Sequence, residues 1–414
     1  PVEYRGHQVL RLTIQSAEEL ARTRAVAARY SLDVWTPWRI GHIDIRLAPE
    51  QAAPFHQLVD APYTTLIADL QTLVDQQQQQ QQPSSSISPA SSVATMDAPV
   101  DGRNATHITD AFFKSYQGFE ELAALCTELA DVFPRWVERI RIGLSHEGRE
   151  LFGVRIHARR SNSTVEQRRK SKRREIVIAA GAHGREWIST AVASYLAYAL
   201  ATGYAINPHI ASLVDRFEFT ILPLLNPDGY MYARDVDRMW RKNRQPIANS
   251  SCVGTDDHWN ADGQASYPCS ENYPGSEPFS APETRQLADY LKERDQAIAF
   301  IDLHAYSQLW MLPFSAQCRQ IPRNKENMLE MALGAVESIR RVNGTRFEVG
   351  SVCNIMYRQS GTAIDWIHRH AHALFSFWIE LRDTGTYGFM LPPEYILPSG
   401  EEMLAGVLHV GDFI

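Results

Sequence analysis

Apolar and polar positions along residues 1–75 follow two different periods. Residues 9–14 and 43–47 alternate every second position, which predicts two half-buried strands. Residues 16–30 have helical spacing with a serine in the N-cap position, and Pro49 opens a second helical stretch. The pattern predicts a small α+β open-sandwich domain, and this part of the chain contains no cluster of catalytic residue types.

A run of glutamines at residues 76–82 follows this domain, and Pro83 leads into a stretch rich in Ser, Pro and Ala. Such a composition buries too little apolar surface to offset the entropy lost on ordering. We therefore interpret residues 76–108 as a flexible linker. It divides the chain into a domain at residues 1–75 and a larger domain at residues 109–414.

In the larger domain, short apolar runs rich in β-branched and aromatic residues alternate with segments of helical periodicity. The predicted strands are residues 175–180, 218–225, 297–303 and 374–381, and the predicted helices are residues 188–204 and 281–294. This alternation predicts an α/β fold in which helices cover both faces of a mixed central sheet. Ligands of such sheets bind beyond the carboxyl ends of the strands.

The composition excludes some partners. Lys and Arg number 41 against 48 Asp and Glu, so no global basic field would recruit nucleic acid or an anionic membrane. No apolar run reaches the ~20 residues of a membrane span. The basic run at residues 168–174 lies between two predicted strands, which favours a solvated loop over a nucleic-acid site, and it could also be a processing site.

The cysteines and the glycosylation sequons indicate through which cellular compartment the protein passes. The five cysteines are compatible with two disulfides and one free thiol: Cys126, Cys252, Cys269, Cys318 and Cys353. Four N-x-Ser/Thr sequons lie in polar stretches, at Asn104, Asn162, Asn249 and Asn343. Together these features favour an oxidising secretory route, either to the outside of the cell or to the vacuole.

Candidate metal ligands lie at the ends of two predicted strands. His183 and Glu186 are three residues apart where the strand at 175–180 gives way to a helix, and His304 directly follows the strand at 297–303. Catalytic zinc takes three protein ligands from His and carboxylate side chains and keeps one position open. The H-x-x-E pair alone is a weak signal, but a histidine at a second strand end strengthens it.

Five motifs of the larger domain match the pancreatic-type zinc carboxypeptidases in residue type and order. They are His183-Gly184-Arg185-Glu186-Trp187, Asn226-Pro227-Asp228-Gly229, Trp240-Arg241-Lys242, Asp302-Leu303-His304 and Glu380-Leu381-Arg382-Asp383-Thr384-Gly385. From about Phe112 onward the chain resembles this family, and within it the fungal carboxypeptidase-like proteins linked to cell-wall organisation, many of which are regarded as inactive. That resemblance extends into the first domain, which would be a prodomain docked on the larger one.

The resemblance implies a catalytic apparatus. His183, Glu186 and His304 would bind one zinc ion, a ligand set for which carboxypeptidase A is a standard example. Glu380 would be the general base that takes a proton from the attacking water and delivers it to the leaving amine. Arg241 would polarise the scissile carbonyl and stabilise the oxyanion.

The resemblance also implies how a peptide C-terminus would be held. Tyr357 would close over the terminal carboxylate, and Arg185 would contribute to peptide subsites. Ile364 would form the floor of the specificity pocket, where an apolar residue favours hydrophobic or aromatic C-terminal side chains. The family also implies disulfides between Cys252 and Cys269 and between Cys318 and Cys353, with Cys126 left as a buried free thiol.

One family motif is missing. Active members carry an Asn-Arg pair shortly after C-x-G-x-D, and its arginine clamps the substrate carboxylate. Here Asp257 or His258 takes that place, depending on register, while Asp256 could support a zinc-bound histidine. We therefore predict a zinc carboxypeptidase with weak activity on C-terminal apolar residues. The alternatives are an inactive zinc-binding homologue with a role in cell-wall organisation, and a gene-model error in the short loop at residues 252–269.

Overall fold

Two β-sheets of unequal size organise the chain. The computed structural model describes residues 1–36, 38–81, 111–158, 174–256, 259 and 267–414. A four-stranded sheet belongs to the N-terminal domain (residues 1–81), and an eight-stranded sheet belongs to the C-terminal domain (residues 111–414).

The N-terminal domain is the predicted α+β open sandwich. Its elements are β1 (Gln8–Ile14), α1 (Ala17–Arg29), β2 (Asp33–Val34), β3 (Gly41–Leu47), α2 (Pro49–Leu58), β4 (Tyr63–Ile67) and α3 (Leu70–Gln81). The strands pair antiparallel in the order β2-β3-β1-β4. Alternate residues of β1 such as Leu10 and Leu12 pack with Phe55 of α2 in this domain's own core. Ser16 caps α1 by accepting a hydrogen bond from the backbone N–H of Glu19, as the sequence predicts.

The C-terminal domain alternates strands and helices as predicted. Its elements are α4 (Phe119–Val132), β5 (Val137–Leu144), β6 (Glu150–Ile156), β7 (Glu175–Ala180), α5 (Trp187–Ile206), α6 (Pro208–Arg216), β8 (Glu218–Leu222), α7 (Pro227–Asp235), α8 (Pro282–Arg294), β9 (Ala297–Ala305), β10 (Leu309–Leu312), α9 (Lys325–Asn343), β11 (Glu348–Ser351), α10 (Val352–Ile355), α11 (Ala363–His370), β12 (Phe375–Leu381) and α12 (Ile396–Phe413). β8 ends at Leu222, three residues before the predicted end, because Pro223 follows.

Helices cover both faces of the eight-stranded sheet, which confirms the predicted fold class. The strand order is β11-β10-β12-β9-β7-β8-β6-β5. The central pairs from β12 to β8 are parallel, antiparallel pairs flank them on either side, and β11 at the edge pairs parallel with β10. In β7, Ile176 and Ile178 face a core shared with α5, α9 and α12, whereas Val177 and Ala179 face a second core shared with α8 and α11. Because β7 is buried on both sides, its sequence is continuously apolar from Ile176 to Ala180.

Most of the glutamine run, which its composition predicts to be a flexible linker, is helical in the structure. α3 continues through Gln81, and the side chain of Gln77 is buried against the C-terminal domain. Gln77 accepts a hydrogen bond from Arg238 at 2.7 Å and donates one to the carbonyl of Leu391 at 3.4 Å. Packing against a second domain therefore orders glutamines that composition alone marks as flexible. The rest of the predicted linker, residues 82–108, lies outside the described residues.

Other sequence predictions find a place in the fold. Both disulfides form as predicted, Cys252 with Cys269 and Cys318 with Cys353. Asn249 and Asn343 are exposed, whereas the other two sequons, at Asn104 and Asn162, lie outside the described residues. So does the basic run except for Arg174. None of the helices described is long and apolar enough to cross a membrane.

Cys126 is the free thiol, and it is expected to be unreactive in the folded protein. Its side chain is 1% exposed on α4, and burial raises the pKa of its thiol to about 12. A thiol reagent should therefore label no cysteine under native conditions and one per chain after unfolding without reductant. Labelling of the native protein, or recovery of Cys126 in a disulfide-linked peptide, would contradict this arrangement.

Candidate functional site

Three side chains converge at the carboxyl ends of the neighbouring strands β7 and β9. His183 and Glu186 lie in the turn between β7 and α5, and His304 is the penultimate residue of β9. The ligand-type atoms of all three lie within 4.8 Å of one another. Nδ1 of His183 lies 2.6 Å from Glu186 Oε1, and Nδ1 of His304 lies 3.1 Å from Glu186 Oε2. These are the three residues that the sequence predicts as metal ligands.

Two buried carboxylates lie behind the histidines. Asp256 accepts from Nε2 of His183 at 3.2 Å, as predicted, and Asp302 accepts from Nε2 of His304 at 3.2 Å. Asp302 is a residue that sequence reasoning missed as a site residue. The signal was available, because residues two apart on a strand share a face, and Asp302 precedes His304 by two within β9.

This arrangement fits a divalent cation. With each Nε2–H directed at a carboxylate, the Nδ1 lone pairs of His183 and His304 face each other at 3.1 Å, beside the carboxylate of Glu186. Three acceptors this close are stable only around a proton or a cation. Burial alone would lower the pKa of His304, but Asp302 and Glu186 outweigh it and raise that pKa well above its ordinary value. A zinc ion bound to this donor set would take the place of such protons.

Glu380 lies beside the three ligands. The register between β9 and β12 places Glu380 opposite His304. Nε1 of Trp378 donates to Oε1 of Glu380 at 3.0 Å, whereas Oε2 is buried without a hydrogen-bond partner among the described residues. Burial, followed by the negative charge of Glu186, raises the pKa of Glu380 to about 8. A carboxylate with one fixed and one open oxygen is suited to proton transfer.

Arg241 lies between the candidate metal ligand Glu186 and Asp256, one of the two carboxylates behind the histidines. Its Nε and Nη2 each donate to Asp256 at 3.2 Å, and its Nη1 lies 3.6 Å from Glu186. Burial would raise the pKa of Asp256, but the charge of Arg241 and the His183 hydrogen bond hold it below its ordinary range. Arg241 is thus a positive charge fixed next to the candidate metal ligands.

Two motifs of the sequence support the turn that carries His183. The backbone N–H of Gly184 donates to the carbonyl of Arg241 at 2.8 Å, and Nδ2 of Asn226 donates to the carbonyl of Ala182 at 3.0 Å. A Cβ at Gly184 would lie 2.4 Å from the carbonyl oxygen of Gly229, so only glycine allows this approach. The Asn226-Pro227-Asp228-Gly229 motif therefore positions the site rather than acting in it.

Two cavities flank the metal-binding cluster. The first has a volume of about 330 Å³ and an apolar wall that includes Trp259, Leu287, Phe300 and Ala363. The second has a volume of about 430 Å³ and lies under the N-terminal domain, with Glu380 in its wall. Tyr357 and Arg241 line both cavities, which places them between the two spaces.

Two predicted substrate contacts differ from their expected surroundings. Ile364 is fully buried in the core and lines neither cavity, because its neighbours Thr362 and Ala363 turn toward the first cavity instead. Asp257 and His258 lie outside the described residues.

Arg185 lines the second cavity but is bonded across the domain interface. Its Nη1 donates to Asp33 at 3.0 Å, and its guanidinium lies over the ring of Phe389 at 4.3 Å from the centroid. Asp33 also accepts from Arg46 and from the indole of Trp35, both at 2.9 Å. The N-terminal domain thus holds a residue that the sequence assigns to peptide binding, and no sequence signal reveals this pairing.

The fold and the candidate site are of the zinc carboxypeptidase type, preceded by a domain of the activation-peptide type. The model of the zinc carboxypeptidase family matches residues 122–406, and the model of the carboxypeptidase activation peptide matches residues 10–77. The first match covers more than half of the chain. The chain therefore belongs to the zinc carboxypeptidase family.

Among curated relatives, the chain is similar to fungal proteins named inactive metallocarboxypeptidase ECM14. It is 35% identical to that of Paracoccidioides lutzii over 446 residues, which covers 99% of this chain and 73% of the relative. It is 34% identical to that of Talaromyces marneffei, with coverage of 99% and 72%. The resemblance seen in the sequence is thereby confirmed.

Solved structures show the same two-domain architecture. The crystal structure of thrombin-activatable fibrinolysis inhibitor superposes with a TM-score of 0.81 at 26% identity, over 98% of both chains. Carboxypeptidase A from Helicoverpa armigera superposes with a TM-score of 0.83 at 22% identity, over 99% of this chain and 98% of that one. The latter likeness is one of fold.

Proposed function

We propose that this chain is a zinc-dependent carboxypeptidase that removes apolar C-terminal residues from peptides, with low activity. The observation that carries the proposal is Glu380, whose open oxygen lies beside the cluster of His183, Glu186 and His304. A merely structural glutamate at this position would be expected to use both oxygens in hydrogen bonds.

In the proposed mechanism, the chain's own residues move the protons and hold the charges. When bound, zinc would supply a Lewis acid that polarises the scissile carbonyl and eases deprotonation of the attacking water. Oε2 of Glu380 accepts a proton from that water and then delivers it to the leaving amine, while Trp378 fixes the other oxygen. The fixed charge of Arg241 stabilises the negative charge that develops on the carbonyl oxygen.

Low activity follows from the missing Asn-Arg pair. The sequence Cys252-Val253-Gly254-Thr255-Asp256-Asp257-His258-Trp259 lacks the arginine that would clamp a terminal carboxylate. Loss of a charge-assisted pair of this kind typically costs about 2–5 kcal/mol of binding, and an acidic residue at that position would add repulsion. The proposed defect is therefore in holding the substrate rather than in the chemistry.

An inactive zinc-binding homologue is the second candidate. The fungal relatives are named inactive, and the same missing pair would explain a complete loss of turnover. In that case we propose a structural role in cell-wall organisation. For both candidates the disulfides fit the oxidising secretory pathway, and we propose that the protein is a secreted or vacuolar glycoprotein.

The full-length chain with one equivalent of zinc and a peptide ending in phenylalanine provides the test. We expect slow release of free phenylalanine, none from the same peptide with a C-terminal amide, and no release after chelation. A peptide ending in lysine should be cleaved more slowly, because Trp259, Leu287 and Phe300 form an apolar part of the first cavity that would receive the last side chain. Stoichiometric zinc binding without any release of phenylalanine would refute the proposed carboxypeptidase activity and support the second candidate, an inactive homologue.

A further inference from the structure

A cation of the N-terminal domain lies at the candidate active site. Arg24 of α1 lines both cavities, together with its helix neighbour Ala28 and with Trp38. The side chain is exposed, and no ion pair or hydrogen bond joins it to another residue in the described part of the chain. As far as the described residues go, Arg24 is therefore a charge available to a ligand.

The acidic groups and Arg241 that line the first cavity among the described residues are already paired. Arg241 is bonded to Asp256, and Asp302 accepts from His304. Glu283 accepts from the backbone N–H of His146 and from Nδ2 of Asn243, both at 3.0 Å. Each of these pairs keeps its partners away from an incoming group, so an anion entering the cavity would meet Arg24 without having to break an existing bond.

Arg24 also acts on the residue expected to close over a peptide C-terminus. Burial raises the pKa of the Tyr357 hydroxyl. The charge of Arg241 opposes that rise, Asp256 and Glu380 add to it, and Arg24 opposes it least. Both Arg24 and Tyr357 line the cavity whose wall includes Phe300 and Leu287. A ligand with an apolar side chain in this cavity would thus have its polar end near Arg24 and the phenol of Tyr357.

We propose that Arg24 anchors the C-terminal carboxylate of a peptide whose apolar last side chain fills the 330 Å³ cavity. This inference rests on the function proposed above for the same site. A guanidinium presents paired N–H donors that match a carboxylate, which is the chemistry lost with the Asn-Arg pair. In the intact chain the N-terminal domain then contributes a binding residue to the site in addition to covering it.

The test compares Arg24→Gln with Arg22→Gln in the full-length, zinc-loaded chain. Arg22 is exposed on the same helix but lines neither cavity, because residues two apart on a helix point in nearly opposite directions. Both variants carry Glu380→Gln so that the peptide is not cleaved. Calorimetry measures binding of a peptide ending in phenylalanine, as the free acid and as the amide.

We expect Arg24→Gln to weaken binding of the acid by about ten- to a hundredfold, the usual effect of losing a hydrogen bond to a charged group. Binding of the amide should not change, and Arg22→Gln should match the parent for both peptides. Equal binding of the acid by the Arg24 and Arg22 variants would overturn the anchor while leaving the proposed function intact. A zinc-loaded parent that binds neither peptide would refute both, with metal content measured separately to show that the site is filled.

Discussion

Replacing His304 with alanine is expected to abolish stoichiometric zinc binding. His304 offers one of the three ligand atoms that lie within 4.8 Å, and alanine removes it without replacement. Apparent binding free energies of ~10–16 kcal/mol for zinc sites are shared among three or four ligands, so losing one should weaken binding by about two to four orders of magnitude. Metal content of the purified, dialysed protein measures the effect.

His209→Ala is the matched control for this change. His209 lies on α6, where its exposed ring pairs with Asp412 on the surface. This variant should keep one zinc per chain, and both variants should keep the fold. Full zinc retention by the His304 variant would mean that the cluster at the ends of β7 and β9 is not the metal site.

Replacing Glu380 with glutamine is expected to lower the turnover rate by about 10²–10⁴-fold, the usual contribution of a general base. Glutamine has the same shape and can still accept from Trp378 through its carbonyl oxygen, but its amide nitrogen cannot take a proton. Zinc content should stay the same because Glu380 is not one of the three proposed ligands. Release of phenylalanine from a C-terminal-Phe peptide, measured at saturating peptide, gives the turnover rate.

Glu401→Gln makes the same chemical change at an exposed position of α12 and should have the parent's rate. A Glu380 variant as fast as this control would exclude Glu380 as the base. If the protein is instead an inactive homologue, the parent releases no phenylalanine, and neither variant can then differ from it.

Several elements could be predicted from sequence because their cause is local. Ser16 caps α1 through a bond to a backbone N–H three residues away. The apolar run from Ile176 to Ala180 indicates a strand buried on both faces. The ends of β7 and β9 carry His183 and His304, and parallel neighbouring strands bring their carboxyl ends to one edge. Asp302 could also have been found from sequence, because it lies two residues before His304 and therefore on the same face of β9.

Other parts depended on the family resemblance because their partners are distant in sequence. The pairing of cysteines and the role of Glu380 follow no local rule. The expected floor residue Ile364 shows the limit of such a transfer, since it is buried in the core and its neighbours line the cavity. Successive side chains point in different directions, so an alignment that is wrong by one residue assigns the wrong side chain to the cavity wall.

The sequence by itself determined the order of elements, the candidate metal-binding residue types and the absence of an Asn-Arg pair after Asp256, since each of these can be read from a short stretch of the chain. Only the tertiary structure decided what lies against them. The register between β9 and β12 brings Glu380 to His304, and docking of the N-terminal domain pairs Asp33 with Arg185 and brings Arg24 to the cavity. Strand register and domain docking are set by many weak contacts between distant segments, so no short stretch of sequence encodes them.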